Sequence, residues 1–458
     1  MLASLAGFLK VDLMGGYVSD GNQVEGPGGA RAWLIWGTAA LFYLYEFFVR
    51  VAPSVMEPEL QSSFHLSAGA IGGVLGVYFY IYAPMQLIVG PTLDRFSAKA
   101  ILVPACLLCA VGCIVVMSGH TGAGLGLARL CQGFGSSFAF VGTMYLAAEW
   151  FPRHRLALLS GLTTSLGMIG AIVGNAGIAD AVSQLGWRVT MKDAGYFGLF
   201  VMVLIFVVIP HKPPHERPKH AGSSKGWLHG LKTVLMNPQT WLAALVTSAL
   251  YMPLSIIGAL WGVQYIMALT GEDKVEASGA VSMLYVGWLF GAPLAGWLSE
   301  HLGHRRLLLG ASSLLTLAGT SLLLLFSSID MWAVYGLMLM IGLVSCPQVI
   351  GFVVAVEHNP REYSGTSIAV TNMMVMLFGG LAMAFFGMVL DWTTSTELIS
   401  ADGHYSVHAY RWAMAMLPAF AMVGGVAAWL LKESIDRDEH LMAKNKRKQE
   451  KLAAAAEA

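Results

Sequence analysis

Twelve long apolar runs, each bounded by charge, Gly or Pro, leave this chain very few ways to fold. They lie near 33–55, 68–91, 100–118, 122–148, 156–181 and 194–211, and then near 239–268, 276–298, 307–327, 331–355, 364–391 and 409–431. A helix needs roughly 20 mostly apolar residues to cross the hydrocarbon core of a bilayer, where every backbone N–H and C=O must be paired internally. The runs therefore predict an all-α integral membrane protein with twelve transmembrane helices. The rest of the 458 residues agree: 56% are hydrophobic, only 12% are charged, and the mean hydropathy is +0.64. A soluble domain is excluded, and the lipid bilayer is an obligatory partner.

The runs come as six, a break and six more. The break, "HKPPHERPKHAGSSKGWLHGLK", is rich in Pro, His and Lys and reads as a polar linker. The expected organisation is a loose tail over 1–30, a first six-helix bundle over 31–211, a linker over 212–238, a second bundle over 239–431 and a charged tail over 432–458. The first thirty residues carry Asp12, Asp20 and Glu25, lack a long apolar core and do not resemble a cleaved signal peptide.

Charge sets the orientation. Lys10, Arg31, Arg95, Lys99, Arg153, Arg155, Lys212, Arg217, Lys219, Lys225, Lys232, Arg305, Arg306, Arg361 and the tail cations fall on one side, against Arg188, Lys192, Lys274 and Arg411 on the other. The positive-inside rule then predicts cytoplasmic termini. A multi-pass protein of a bacterial inner (plasma) membrane is the expected location. Cys106, Cys109, Cys113, Cys131 and Cys346 all lie inside apolar segments, and no His or acid accompanies the CxxC. Packing is the expected role, with no disulfide framework and no metal site.

The two halves echo each other at a fixed place. "GPTLDRFSAK" follows the second span of the first half, and "GWLSEHLGHR" follows the second span of the second half. A weaker echo relates "EWFPRHR" to "EHNPRE" after the fourth span of each half. Such repeats are the mark of pseudosymmetric transporters. Small residues at four-residue spacing, Gly69 and Gly73, Gly72 and Gly76, Gly170 and Gly174, suit helices that pack closely.

These residues resemble the major facilitator superfamily. Gly90, Asp94, Arg95 and Lys99 fit its loop motif GxxxDRxGRR, with Ser97 and Ala98 departing from it, and "RLCQGFGSS" resembles its fourth span. The resemblance covers nearly the whole chain. It implies two pseudosymmetric six-helix bundles that rock about a central site, and no enzymatic chemistry. It also implies cytoplasmic gating by Asp94, Arg95 and Glu149, mirrored by Glu300, Arg305 and Glu357. Drug antiporters of the family carry GxxxGPxxGG on the fifth span, where this chain has Asn175 in place of Pro.

The candidate binding site rests on charges inside spans, which cost roughly 2.5 to 3.5 kcal/mol each and persist where a partner or a task offsets them. Glu46 and Arg50 stand four residues apart on one face of the first span, and Arg129 enters the fourth. Two arginines facing one cavity suit an anionic or zwitterionic solute. Glu46 is the candidate proton carrier, with a plain counter-ion to Arg50 as the other reading. Tyr43, Tyr78, Tyr82, Gln86, Gln132, Trp261, Gln264, Tyr265, Tyr285, Gln348 and Asn372 complete the expected polar lining.

The expected function is a secondary transporter of a small anionic or zwitterionic organic solute by alternating access, driven by a proton or by the solute's own gradient. The first span and "EWFPRHR" resemble organic anion and sugar phosphate permeases, yet the seventh span lacks the arginine that sugar phosphate antiporters use. A dipeptide or amino-acid carrier, a drug/proton antiporter and a non-transporting solute sensor are the alternatives. No nucleotide loop, positioned nucleophile or HExxH helix marks an enzyme. No cofactor and no nucleic-acid partner are expected, and the protein is expected to be a monomer.

Overall fold

The computed structural model describes residues 29–118, 121–151, 155–211, 226–325, 330–360, 363–394 and 405–433. Eleven helical stretches among them are long and apolar enough to cross a membrane. The first half contains α1 (Gly29–Val51), α2 (Pro53–Phe64), α3 (Ala68–Arg95), α4 (Ala98–Ser118), α5 (Gly122–Ser136), α6 (Ala139–Trp150), α7 (Leu156–Ile172), α8 (Ile178–Leu185) and α9 (Trp187–Val208). After α10 (Gly226–Met236), the second half contains α11 (Pro238–Pro253), α12 (Gly262–Thr270), α13 (Lys274–Leu302), α14 (Arg305–Leu325), α15 (Met331–Ser345), α16 (Gln348–Glu357), α17 (Ser364–Thr394), α18 (Val407–Met414) and α19 (Met416–Leu430). α5 and α6 together occupy the fourth candidate span. The expected tails and most of the 212–238 linker lie outside the described residues.

Local sequence explains the interruptions. Pro53 has no N–H to donate, so the first span ends at Val51, short of the expected end at 55, and α2 follows it as a separate helix to Phe64. Pro253 closes α11, and the chain widens into a π-helical stretch over Leu254–Trp261 before α12. A second π-helical stretch, Val173–Gly177, separates α7 from α8. Such wide turns release backbone carbonyls from the regular ladder and are often found where a helix does a job beyond crossing the bilayer.

Bare helix faces set how closely the halves approach. α3 lies along α17, and a Cβ on Gly72 would stand 2.6 Å from the Met383 carbonyl oxygen. Gly69 and Gly76 also face α17, whereas Gly73 points into open space. Gly387 on α17 is pressed against the Ala68 carbonyl, and Gly170 on α7 against the Leu44 carbonyl of α1. Without a side chain at these points, two backbones touch and dispersion holds them, which is how helices associate in lipid.

Candidate functional site: a buried Arg–Glu pair between the two halves

α1 is amphipathic in reverse, with its polar groups facing the protein interior. Glu46 is 0% exposed and Arg50 is 3% exposed. One helical turn separates them, so their side chains meet. Arg50 Nε donates to Glu46 Oε1 at 2.9 Å, and Nη2 donates to the same oxygen. Tyr78 of α3 donates its hydroxyl to that oxygen as well. Glu46 Oε1 therefore takes three donors, while Oε2 is buried with no hydrogen-bond partner among the described residues. An orphan acceptor on a buried carboxylate is costly, and it marks a place where a proton or a donor from a ligand would be welcome.

The guanidinium is held on all sides. Its carbon sits 4.3 Å from the Phe47 ring centre, 5.2 Å from Tyr82 and 5.7 Å from Tyr78. Cation–π attraction of this kind offsets part of the lost hydration. From the second half, Tyr251 of α11 accepts a hydrogen bond from Arg50 Nη1 at 3.2 Å. The pair thus belongs to α1, but its charge is shared with the opposite bundle.

Arg129 takes a different position from the one expected. It shares Tyr78 with Arg50, stacking 4.6 Å from that ring centre. Its donors, however, go to the Val49 carbonyl at 3.2 Å, the Leu75 carbonyl at 3.3 Å and Gln132 Oε1 at 2.9 Å. These bonds strap α5 to α1 and α3 and leave the guanidinium committed to backbone. Gln132 in turn reaches Cys113 Sγ at 3.4 Å, which draws the cysteine face of α4 into the same strap.

The remaining expected residues take different places. Tyr43, Tyr78 and Tyr82 surround the pair, with Tyr43 packed on Phe47 and Phe140. Gln86 and Asn372 meet across the halves at 3.1 Å. Tyr285 lies against Gly258, and Gln348 is buried at the start of α16. By contrast, Trp261 stacks on Phe386 and donates to the Met383 carbonyl, and Tyr265 donates to the Leu323 carbonyl at 2.9 Å. Both are engaged in packing within the second half. Gln264 lines a separate cavity beside α2.

Several cross-half ties were not legible in the spacing. Asn175, on the first π-helical stretch, donates to the Gly258 carbonyl on the second at 3.0 Å and accepts from Ser54 at 3.0 Å. Ala176 N donates to Ser282 Oγ at 3.3 Å. Asp391 at the end of α17 accepts from Ala68 N, Gly69 N and Ser67 Oγ at 2.9, 2.7 and 2.7 Å, so a carboxylate from one half caps the N-terminus of α3 in the other. Lys274 and Glu59 form a further pair at the same end. Two signals in the sequence were available for the missed residues: the Tyr251-Met252-Pro253 step inside a span, and an acid at position 391 closing an apolar run.

The expected gating residues are only partly described. The side chains of Asp94, Arg95 and Glu300 lie outside the described ones. Glu149 is buried near the end of α6, beside Ser97, Trp150 and His211. Arg305 pairs with Glu357 at 2.7 Å, joining the start of α14 to the end of α16 within one half. The backbone N–H groups of Arg305 and Arg306 donate to Glu433, an acidic cap on α14.

Comparison with known proteins places these features. A family model described as Major Facilitator Superfamily matches residues 38–383 and again 249–457. Among curated relatives, the membrane sensor protein UhpC of Salmonella typhimurium is 27% identical, over 84% of this chain and 92% of its own. A protein described as the probable sulfoacetate transporter SauU, from Cupriavidus necator, is 23% identical over 80% of this chain and 89% of its own. The uncharacterized transporter YybO of Bacillus subtilis is 28% identical, but the match spans only 46% of it. A bacterial homolog of the human lysosomal transporter Spinster, solved inward-facing and unoccupied, has a similar fold, with a TM-score of 0.74 at 15% identity over 89% of this chain and 98% of that one. The nucleoside transporter NupG is similar at a TM-score of 0.69 and 13% identity, over 88% and 99%.

Proposed function

Since the chain belongs to the major facilitator superfamily, a family of membrane transporters without enzymatic chemistry, we propose that it moves a small anionic or zwitterionic organic solute by alternating access, coupled to protons through Glu46. One observation carries the reading: a buried Arg50–Glu46 pair, bonded across the halves to Tyr251, whose Glu46 Oε2 has no partner. Arg50 offers a planar fork suited to a carboxylate, but Glu46 Oε1 occupies it. A proton on Glu46 removes the charge that competes for the fork. The solute's carboxylate then takes its place, and solute and proton travel together. Loss of the proton restores the ion pair and expels the solute.

The cross-half ties support a rocking motion in which the end carrying Lys274–Glu59 and the Asp391 cap is closed. In the cytoplasmic-termini orientation that the charge pattern favours, this is the external end of an inner-membrane protein. The absence of an arginine or lysine from the seventh span argues against sugar phosphates. It favours solutes with one carboxylate, including amino acids and dipeptides.

Purified protein in liposomes tests the reading with a panel of carboxylates, amino acids, dipeptides and sulfonates. Counterflow of one class, lost in Arg50→Ala and made independent of the proton gradient in Glu46→Gln, is the expected result. Unchanged uptake and pH dependence in both variants would overturn it. The similarity to a membrane sensor favours a second reading, in which the same site senses a solute without moving it. Ligand-induced stabilisation without counterflow would select that reading.

A further inference from the structure

A cavity of about 530 Å³ lies apart from the Arg50–Glu46 pair, between α2, α12 and the start of α18. Glu57, Gln264, Tyr405 and Tyr410 form its inner wall, and Ser62, His65 and Ser67 form an exposed rim. The volume is that of an ordinary small-molecule site. Its chemistry is one-sided. Glu57 is 2% exposed and accepts a hydrogen bond from a neutral amide, Gln61 Nε2. The nearest fixed cation, Lys274, is already held by Glu59. Gln264 is 8% exposed, and its Nε2 has no hydrogen-bond partner among the described residues. The Tyr405 and Tyr410 rings, both lining the cavity, meet edge to face 6.0 Å apart.

A carboxylate without a bound cation, two tyrosine rings and a free amide describe a complementary solute. We propose that this cavity is a second binding site, for a small organic ammonium solute whose positive head faces Glu57 and the tyrosine rings and whose oxygen meets Gln264. An ammonium gains from both the carboxylate and the ring quadrupoles, whereas a carboxylate solute would be repelled. The unsatisfied amide selects heads that carry a hydroxyl or carbonyl over plain alkylamines. The proposal is independent of the Arg50–Glu46 reading, because no residue is shared between the two sites.

The groups that face Glu57 also predict how the site responds to pH. Glu59, His65, Lys274, Tyr405 and Tyr410 surround it, with Asp391 behind the Tyr405 hydroxyl at 3.3 Å. Burial pushes the Glu57 carboxyl up to about 7, with Gln61 opposing the shift. Below that value the counter-charge is lost, so ammonium binding weakens as the pH falls.

Choline is a suitable probe, since it joins a cationic head to a hydroxyl, and its uncharged tert-butyl isostere is the control. Titration calorimetry on the full-length protein in detergent, with ionic strength matched by sodium chloride, should show choline binding at about pH 8. Binding should be at least about tenfold weaker at about pH 5.5 and absent with the isostere. Glu57→Gln should abolish binding while the protein still unfolds cooperatively, and Gln264→Leu should weaken choline more than tetramethylammonium. Glu46→Gln, which keeps the fold, should still bind choline. Equal binding of choline and its isostere, or an unchanged affinity in Glu57→Gln, would overturn the proposal.

Discussion

Arg50 Nη1 and Tyr251 Oη stand 3.2 Å apart and join the ion pair of the first half to the seventh span in the second. Removing one hydroxyl tests whether this bond matters. Tyr251→Phe keeps the ring and loses the acceptor, which at about 0.5–1.5 kcal/mol for a hydrogen bond corresponds to a change in apparent solute affinity of roughly two- to tenfold. The change should be read from concentration-dependent uptake in liposomes. A variant with wild-type uptake would reduce the contact to incidental packing.

Breaking the ion pair from its two sides should have unequal effects. Arg50→Ala leaves Glu46 buried without its counter-charge and should destabilise the protein by about 3–5 kcal/mol, seen as a lower melting temperature in detergent. Glu46→Gln still offers a carbonyl oxygen to Arg50 and Tyr78, and should keep the fold while abolishing proton dependence. The double variant Glu46→Gln with Arg50→Gln should recover stability but not transport.

Asp391 caps α3 from across the halves, so its loss should open one end selectively. Asp391→Asn weakens a charged cap worth about 1 kcal/mol. A cysteine placed at Ser54, which is 0% exposed, should then react faster with an impermeant thiol reagent than it does with Asp391 intact. Equal labelling rates would show that the cap does not hold that end shut.

The helix crossing makes a sharp contrast between neighbours. Gly72→Ala forces a methyl group onto the Met383 carbonyl and should cost about 1–3 kcal/mol, with a loss of uptake. Gly73→Ala meets open space and should be neutral or slightly stabilising. Thermal melts of the two variants side by side decide the matter, and equal effects would contradict the packing described for α3 and α17.

Glu57 supplies a pH test of stability. Its carboxyl sits near 7 in the folded protein, above the ordinary value of 4.5, so the fold favours the protonated form. The resulting stabilisation is fully present below the unfolded value and is lost as the pH rises through about 7. Glu57→Gln should therefore raise stability by on the order of 2 kcal/mol at about pH 8 and change little at about pH 4. Melting temperatures at the two pH values check the sign.

Much of this protein follows from one-dimensional pattern. Spans are set by the length of apolar runs, and eleven helices of that kind are present among the described residues. The partnership of Glu46 and Arg50 was legible too, because four-residue spacing puts two side chains on one helix face whatever the surrounding fold. The breaks at Pro53 and Pro253 follow from a missing N–H.

What spacing cannot tell is which way a side chain faces once helices from distant parts of the chain meet. Arg129 looked like a second ligand for an anion, yet Val49 and Leu75 bring backbone carbonyls within reach of it. Gln264 lies in a span like the other polar residues, but rotation of α12 turns it into the cavity beside Glu57. Tyr251 and Asp391 become partners of Arg50 and α3 only because the two halves are packed together, and their partners are 201 and 322 to 324 residues away in the chain. Local pattern decides where helices lie, since each is stabilised by its own backbone bonds and by lipid. The identity of a site depends on contacts between helices, and those are settled only when backbone shape, glycine faces and buried charge are satisfied together.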